Sequence, residues 1–188
     1  MTRPRNPGHD NGLTLVELMV TLAIVAILLA IAVPSMQQLI ARKRVEGVAN
    51  ELASDIRYLR SVQSQRSRAV RIIFAANKTC YTMLVKGSSP TASCDCTQAA
   101  LGLQVCTSGS SVHEEIKTVT VPSSDITLTA VPSSLEIAGS DGMPTAEVEL
   151  SVNVSSSTGG GEVRVATNLA ARPNLCSVSG HGSSMAAC

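Results

Sequence analysis

A run of 21 residues with a single charge, Leu13–Val33, constrains this chain more than any other feature of its sequence. As an α-helix rising about 1.5 Å per residue, the run is about 30 Å long, which matches the hydrocarbon core of a bilayer. The segment can therefore span a membrane. Its one charge, Glu17, needs an explanation, because a carboxylate inside a membrane costs on the order of 3 kcal/mol unless it finds a partner.

Three interpretations of this segment compete. A secretory signal would be cleaved at a small-residue site such as Ala30-Ile31-Ala32, but its apolar stretch is usually only about 7 to 15 residues long. A permanent anchor explains the length and leaves Glu17 unexplained. Cleavage after Gly12 would instead give Leu13 a cationic amine, and the amine of an adjacent subunit can then pair with Glu17, one helical turn away. In that third interpretation the charge serves assembly.

The stretch Gly12-Leu13-Thr14-Leu15-Val16-Glu17, between a basic leader and some twenty apolar residues, resembles the class III signal of type IV pilins and pseudopilins. The resemblance implies that a membrane aspartyl peptidase, the prepilin peptidase, cuts after Gly12 and N-methylates Leu13. It also implies an assembly role for Glu17, and Pro34 matches the proline that often kinks the helix of this family. The usual first mature residue of the family is Phe, and Leu13 departs from it.

The rest of the sequence predicts an α+β fold, with a long N-terminal helix packed on an antiparallel β-sheet. Apolar residues keep helical spacing beyond Pro34, which predicts one helix from about Leu15 to Arg66, bent near the proline. Its first half is apolar all round and its second half is amphipathic. We expect a cleaved leader over residues 1–12, a transmembrane and assembly helix over 13–34, and a globular domain over 35–188.

Alternating apolar and polar residues predict strands after the helix. The predicted strands are Ala69–Phe74, Cys80–Val85, Ile116–Val121, Ile126–Thr129, Leu135–Ile137, Glu147–Val154 and Glu162–Thr167. The first two are expected to form a hairpin, and the last two are expected to pair across Ser155–Gly161. Gly87–Ser111 and Leu169–Cys188 lack periodicity, so we expect irregular structure there.

Six cysteines follow the hydrophobic N-terminal segment, which favours an exported chain with disulfide bonds. Cys176 with Cys188 is the best-supported pair, because the two residues close a short loop at the C-terminus. The other four cysteines are Cys80, Cys94, Cys96 and Cys106. They allow three connectivities, and their spacing does not select one of them.

The helix, the Ala69–Val85 hairpin, the Cys94-Asp95-Cys96 loop and the cysteine loop that ends the chain are similar to minor pilins of the FimT/GspH kind. The resemblance implies a non-enzymatic subunit that helps initiate or tip a type IV pilus or a type II secretion pseudopilus. The implied partners are the prepilin peptidase and other major and minor pilins or pseudopilins. The implied location is the inner membrane, crossed once, with the globular domain in the periplasm.

Motifs for catalysis or metal binding are scarce. Cys94 and Cys96 with His113 or His181 lack the spacing of a metal site, so we expect no metal and no other cofactor. The three histidines form no Ser-His-Asp pattern, and Gly159-Gly160-Gly161 is typical of a hairpin turn rather than a phosphate-binding loop. The sequence therefore predicts that the protein is not an enzyme.

DNA binding is the alternative function. Some FimT-like minor pilins act in DNA uptake through a Gly-Arg-x-Arg motif, in which two guanidiniums can bind phosphates. The corresponding stretch here, Ala171-Arg172-Pro173-Asn174, retains one arginine. Arg164 and Arg172 are therefore the candidate DNA contacts. The overall charge, with 15 Lys plus Arg against 14 Asp plus Glu, does not favour a nucleic acid partner.

Overall fold

The computed structural model describes residues 14–88, 94–106, 113–121, 124–138, 143–145, 149–180 and 185–188. It contains a long helix α1, a short 3₁₀ helix and eight strands. These elements are α1 (Leu15–Arg66), β1 (Val70–Phe74), β2 (Cys80–Val85), the 3₁₀ helix (Cys96–Leu101), β3 (Glu114–Thr120), β4 (Ile126–Val131), β5 (Ser134–Ile137), β6 (Ser151–Ser156), β7 (Glu162–Thr167) and β8 (Pro173–Ser179). The chain divides into two compact units, one ending at Gln37 and the other running over Gln38–Cys188.

Helix α1 is continuous over 52 residues, with Pro34 inside it, so the prediction of a single long helix is confirmed. The bend expected near Pro34 stays a prediction. In the second unit one face of α1 is buried, and its apolar residues recur at helical spacing. These residues are Ala41, Val45, Val48, Ala49, Leu52, Ala53, Ile56, Leu59 and Val62.

The strands form two antiparallel sheets of four strands each, where the sequence predicted one sheet. The first sheet has the order β3-β2-β1-β5 and contains the predicted hairpin, in which Val70 pairs with Val85 and Phe74 with Tyr81. The second sheet has the order β4-β6-β7-β8. Inward-facing side chains of both sheets and the buried face of α1 form one hydrophobic core.

Two predictions about the second sheet need correction. The segment Leu169–Cys188 is not irregular throughout, because Pro173–Ser179 forms β8 along β7. The strand predicted over Glu147–Val154 begins at Ser151, although Leu150 is fully buried and its N–H donates to the Thr167 hydroxyl at 3.0 Å. Residues 146–148 lie outside the described part of the chain.

Three disulfide bonds join the six cysteines. Cys176 pairs with Cys188, the pair favoured from the sequence, and the tail hydrogen-bonds with Ser177 on the outer edge of β8. The other two bonds are Cys80–Cys96 and Cys94–Cys106. They hold a loop that was expected to be irregular and that contains the 3₁₀ helix. The side chain of Asp95 caps this helix, and Gly102 ends it in the left-handed conformation.

Candidate assembly site at the N-terminal end of the helix

Thr14 directly precedes helix α1 and acts as its N-terminal cap. Its hydroxyl oxygen accepts a hydrogen bond from the Glu17 N–H at 3.2 Å, and its carbonyl accepts one from the Leu18 N–H at 3.2 Å. The sequence Thr14-Leu15-Val16-Glu17 has the spacing of a capping box, a signal that the sequence analysis did not use. The first turn of the helix is therefore encoded by these four residues.

The carboxylate of Glu17 is uncommitted within the part of the chain that the structure describes. A complete capping box would bond this carboxylate to the Thr14 N–H, but the structure shows only the opposite bond, from the Glu17 N–H to the Thr14 hydroxyl. The Glu17 side chain is exposed and forms no ion pair with any described residue. The carboxylate is stabilised by the positive end of the helix dipole and remains available to an external cation.

The apolar surface around Glu17 is uncovered. Every residue from Thr14 to Ile40 is exposed, and the exposed fraction is 73% for Leu15 and still 45% for Ile40. Among the described residues, α1 is the one helix that is long and apolar enough to cross a membrane. An apolar surface of this length must be covered by lipid or by other proteins, because water would oppose its exposure.

Two predicted site residues, Gly12 and Leu13, lie outside the described residues, as do His9 and His181. Pro34 lies inside α1 and is exposed like its neighbours. Glu17 and Pro34 are therefore the predicted assembly residues that the structure places, and both lie on the uncovered part of the helix.

A buried polar cluster fixes the second half of α1 to the first sheet. Asp55 is 7% exposed and accepts hydrogen bonds from the Tyr81 hydroxyl at 2.8 Å and from the Lys117 ammonium at 2.8 Å. Lys117 also contacts the carboxylate of Glu51 at 3.3 Å. The cluster links α1, β2 and β3, so it sets the register of the helix on the sheet.

The electrostatics of this cluster keep its donors protonated. Burial, reinforced by the negative charge of Asp55, raises the pKa of Tyr81 well above its usual range. The hydrogen bond to Asp55 raises the pKa of Lys117, although burial opposes this effect. Tyr81 and Lys117 therefore keep their protons at neutral pH and remain hydrogen-bond donors to the Asp55 carboxylate.

The turn between β6 and β7 packs directly on α1. A Cβ added to Gly160 would lie 2.8 Å from both the carbonyl carbon and the oxygen of Ala41 and 3.1 Å from its Cβ. Gly160 and Ala41 are both buried. The sequence predicted Gly160 as a turn residue, and the structure adds that it allows the second sheet to approach the helix backbone.

The structure describes three of the four residues considered for a metal site. Cys94 and Cys96 are both in disulfide bonds, so neither supplies a thiolate ligand. His113 is buried, and its Nδ1 accepts a hydrogen bond from the Gly87 N–H at 3.0 Å. Within the described ranges no group of three or more His, Cys, Asp and Glu side chains is placed to hold a metal ion.

The two arginines considered for DNA binding lie on β7 and just before β8. Arg164 is half-buried, and its Nε donates to the Asn153 side chain at 2.9 Å across the strand pair. Arg172 is exposed at the end of the turn that joins the two strands, and its backbone is held by Asn168. Arg172 has no side-chain partner among the described residues, whereas Arg164 shares one of its five N–H groups with Asn153.

Comparisons with known proteins agree with these features. Residues 8–33 match the family model described as the prokaryotic N-terminal methylation motif. The fold is similar to a crystal structure of the type IV minor pilin FimU from Pseudomonas aeruginosa PAO1, with 14% identity, a TM-score of 0.50, and coverage of 71% of this chain and 89% of FimU. A second crystal form of FimU gives 15% identity, a TM-score of 0.48, and coverage of 69% and 90%. A comparison with curated protein sequences gives no match.

The chain therefore carries an N-terminal methylation motif, as type IV pilins do, and has a fold similar to that of a type IV minor pilin. At such low identity the likeness to FimU shows the fold alone, and the motif supplies the second, independent observation. The motif of the chain implies processing by the prepilin peptidase and assembly with other pilins.

Proposed function

We propose that the chain is a minor pilin or pseudopilin that helps initiate or tip a type IV pilus or a type II secretion pseudopilus. Before assembly it crosses the inner membrane once through the apolar part of α1, and its globular unit lies in the periplasm. The proposal is supported by the methylation motif over residues 8–33 and by the exposed apolar surface from Thr14 to Ile40.

Processing at Gly12 is the first step of this function. Cleavage after Gly12 makes Leu13 the first residue of the mature chain and gives it a cationic amine, which is then N-methylated. The amine would precede the first residue of α1 by only two positions, since Thr14 caps the helix and Leu15 begins it. The positive charge and the Glu17 carboxylate would then both lie at the first turn of an otherwise uncharged segment.

The observation that carries the proposal is the uncommitted carboxylate of Glu17. Thr14 already caps the helix, and the helix dipole offsets only about 0.3–1 kcal/mol of the cost of placing a charge in an apolar segment, which is on the order of 3 kcal/mol. Pairing with the terminal amine of a neighbouring subunit neutralises both charges and fixes the axial register of the two helices. The uncovered side chains around Glu17 pack against the same neighbours after leaving the lipid.

The experiment compares Glu17→Gln and Glu17→Ala with Thr14→Ala in cells that assemble the filament. Both Glu17 variants should be cleaved normally, but their share in sheared filaments should fall at least tenfold, because the subunit amine loses its anionic partner. Thr14→Ala removes the helix cap and keeps the carboxylate, so it should leave incorporation nearly unchanged. Equal losses from Thr14→Ala would show that Glu17 acts through helix capping.

The N-terminus of the mature protein tests the processing step separately. Mass spectrometry and N-terminal sequencing should find N-methylated Leu13 as the first residue. A protein that still begins at Met1, or that begins beyond Val33, would contradict the proposal. The second outcome would instead support a secreted protein cleaved by a signal peptidase.

DNA uptake is not proposed as a second function. The stretch that corresponds to the Gly-Arg-x-Arg motif retains only Arg172, and Arg164 on β7 already donates its Nε–H to Asn153. A single phosphate contact gives little affinity at physiological salt. The chain without its apolar N-terminal segment is therefore expected not to retard DNA in a mobility-shift assay at physiological salt.

A further inference from the structure

Three consecutive basic residues follow the uncovered apolar part of α1. We call Arg42, Lys43 and Arg44 the basic collar, since consecutive positions on an α-helix point about 100° apart and these three cover more than half of its circumference. All three side chains are exposed. They are the first charged residues after Glu17, with Ile40 as the last exposed apolar residue before them.

The two arginines of the collar have no partner among the described residues. Lys43 donates to the carboxylate of Glu46 at 2.6 Å, so part of its charge is compensated within the helix. Arg42 and Arg44 form no ion pair or side-chain hydrogen bond within the described ranges. The uncompensated charge of the collar is therefore concentrated on these two guanidiniums.

The direction of the collar is fixed by the residues on either side of it. Ala41 is 5% exposed and Val45 is fully buried, so both are held in the core of the globular unit. Gly160 packs on the backbone of Ala41 from the side of the second sheet. The collar side chains consequently point away from the core of the globular unit, at the level where the buried face of α1 begins.

The spacing along the helix fits the headgroup layer of a membrane. From Leu15 to Ile40 the helix rises about 38 Å, which exceeds the hydrocarbon core of about 30 Å and approaches the roughly 40–45 Å that include both headgroup layers. The apolar run itself ends at Val33, and Ser35, Gln37 and Gln38 follow it, so the stretch before the collar extends into the interface. This brings residues 42–44 towards the lipid phosphates, which long arginine side chains reach readily.

We propose that the basic collar binds the headgroups of anionic phospholipids while the subunit is in the membrane, before assembly. Phosphate and arginine form paired, charge-assisted hydrogen bonds, which suits the two uncommitted guanidiniums. The collar would set the depth of α1 in the bilayer and hold the globular unit at the surface. This inference rests on the proposed membrane location of the subunit.

The expected lipid preference follows from the two free arginines. Each basic residue near an anionic surface contributes about fivefold in affinity, so the pair should give about a 25-fold preference for anionic over neutral lipid. The preference should shrink as salt is raised, because headgroup and guanidinium charges are screened at the membrane surface.

The test reconstitutes the full chain into vesicles containing equal parts of phosphatidylglycerol and phosphatidylcholine. Native mass spectrometry then counts the lipids that remain bound when the protein is released. The double variant Arg42→Gln/Arg44→Gln should lose the phosphatidylglycerol preference. The control is Arg57→Gln/Arg60→Gln, which removes the same charge from the same helix about 22 Å further along. This control should keep the preference.

Flotation of the vesicles reports membrane insertion independently. If the wild-type chain floats with both neutral and anionic vesicles but retains the two lipids in equal amounts, the collar proposal is wrong and the membrane anchor stands. Equal loss in both double variants would also overturn it, since net charge alone would then explain the preference. If the chain floats with neither kind of vesicle, the proposed membrane anchor and the proposed lipid binding by the collar are both contradicted.

Discussion

Replacing Gly160 by alanine should destabilise the globular unit through a clash with the backbone of α1. The added Cβ would lie 2.8 Å from the carbonyl carbon and oxygen of Ala41, whereas carbon contacts in well-packed proteins are about 3.5–4.0 Å. The atoms it meets are mostly backbone, which has no alternative rotamer. The turn or the helix must therefore move by close to 1 Å.

The size of the effect follows from the cost of overpacking. Inserting a methyl group into a filled site typically costs about 1–3 kcal/mol. The positive φ angles in this turn belong to Gly159 and Gly161, at 88° and 79°, and not to Gly160. Alanine at position 160 therefore adds no backbone strain, and the whole loss comes from the contact with Ala41.

Gly47→Ala is the matched control, because it adds the same methyl group to α1 where the space is open. No atom lies within 4 Å of a Cβ built at Gly47, and the residue is exposed within the helix. Alanine there should stabilise the helix by about 0.5–1 kcal/mol. The two variants should thus change stability in opposite directions.

Urea unfolding of the full chain in neutral detergent measures both changes, with the near-ultraviolet circular dichroism of buried Tyr81 as the signal. With a urea slope of about 2 kcal/mol per M, Gly160→Ala should lower the midpoint by about 0.5–1.5 M. Gly47→Ala should raise the midpoint by about 0.3–0.5 M on the same slope. An unchanged or higher midpoint for Gly160→Ala, beside a normal Gly47→Ala, would refute the packing of this turn on the helix.

Two further predictions concern the globular unit. The pKa values of Lys117 and Tyr81 are raised in the folded state from 10.5 and 10.0, so the stability they contribute is present below these values and is lost as the pH rises above them. Lys117→Met should therefore lower the urea midpoint at pH 8 and make its decline above pH 10 shallower; an unchanged slope would contradict this coupling. The double variant Cys176→Ser/Cys188→Ser opens a loop with a sequence separation of 12. It should cost about 3 kcal/mol, measured as a lower urea midpoint, and a loss below 1 kcal/mol would show that the tail is held without its disulfide.

The sequence predicted the helix well because α1 depends on local signals. Thr14 provides the cap, apolar spacing continues to Val62, and Arg66 lies in the last turn, where a cation favours the helix dipole. The β1–β2 hairpin was equally local, since two alternating segments flank a short turn. Elements specified by neighbouring residues were therefore predicted with nearly correct bounds.

Strand β8 was missed because its pattern is not local. Pro173 begins it, and of its remaining residues only Leu175 and Val178 are large and apolar. As the edge strand of the second sheet, β8 is fixed by pairing with β7 on one side and by the disulfide-bonded tail on the other. Pairing with distant residues replaced the alternating pattern on which the prediction relied.

The sequence contained a signal for the buried cluster that was not used. Asp55 lies among Leu52, Ile56 and Leu59 at helical spacing, so a charge falls on the apolar face of α1. Such a position requires a buried partner. The identity of that partner depends on the fold, since Lys117 lies 62 residues further along the chain.

The candidate assembly site differs from the globular unit in how its interactions are satisfied. Asp55 already has Tyr81 and Lys117, whereas Glu17 has no partner among the described residues. Removing the Glu17 charge should therefore change incorporation into filaments while the urea midpoint of the globular unit stays constant. If Glu17→Gln lowers that midpoint as much as Asp55→Asn does, Glu17 is a folding residue, and its exposure in the isolated chain is not evidence for a partner subunit.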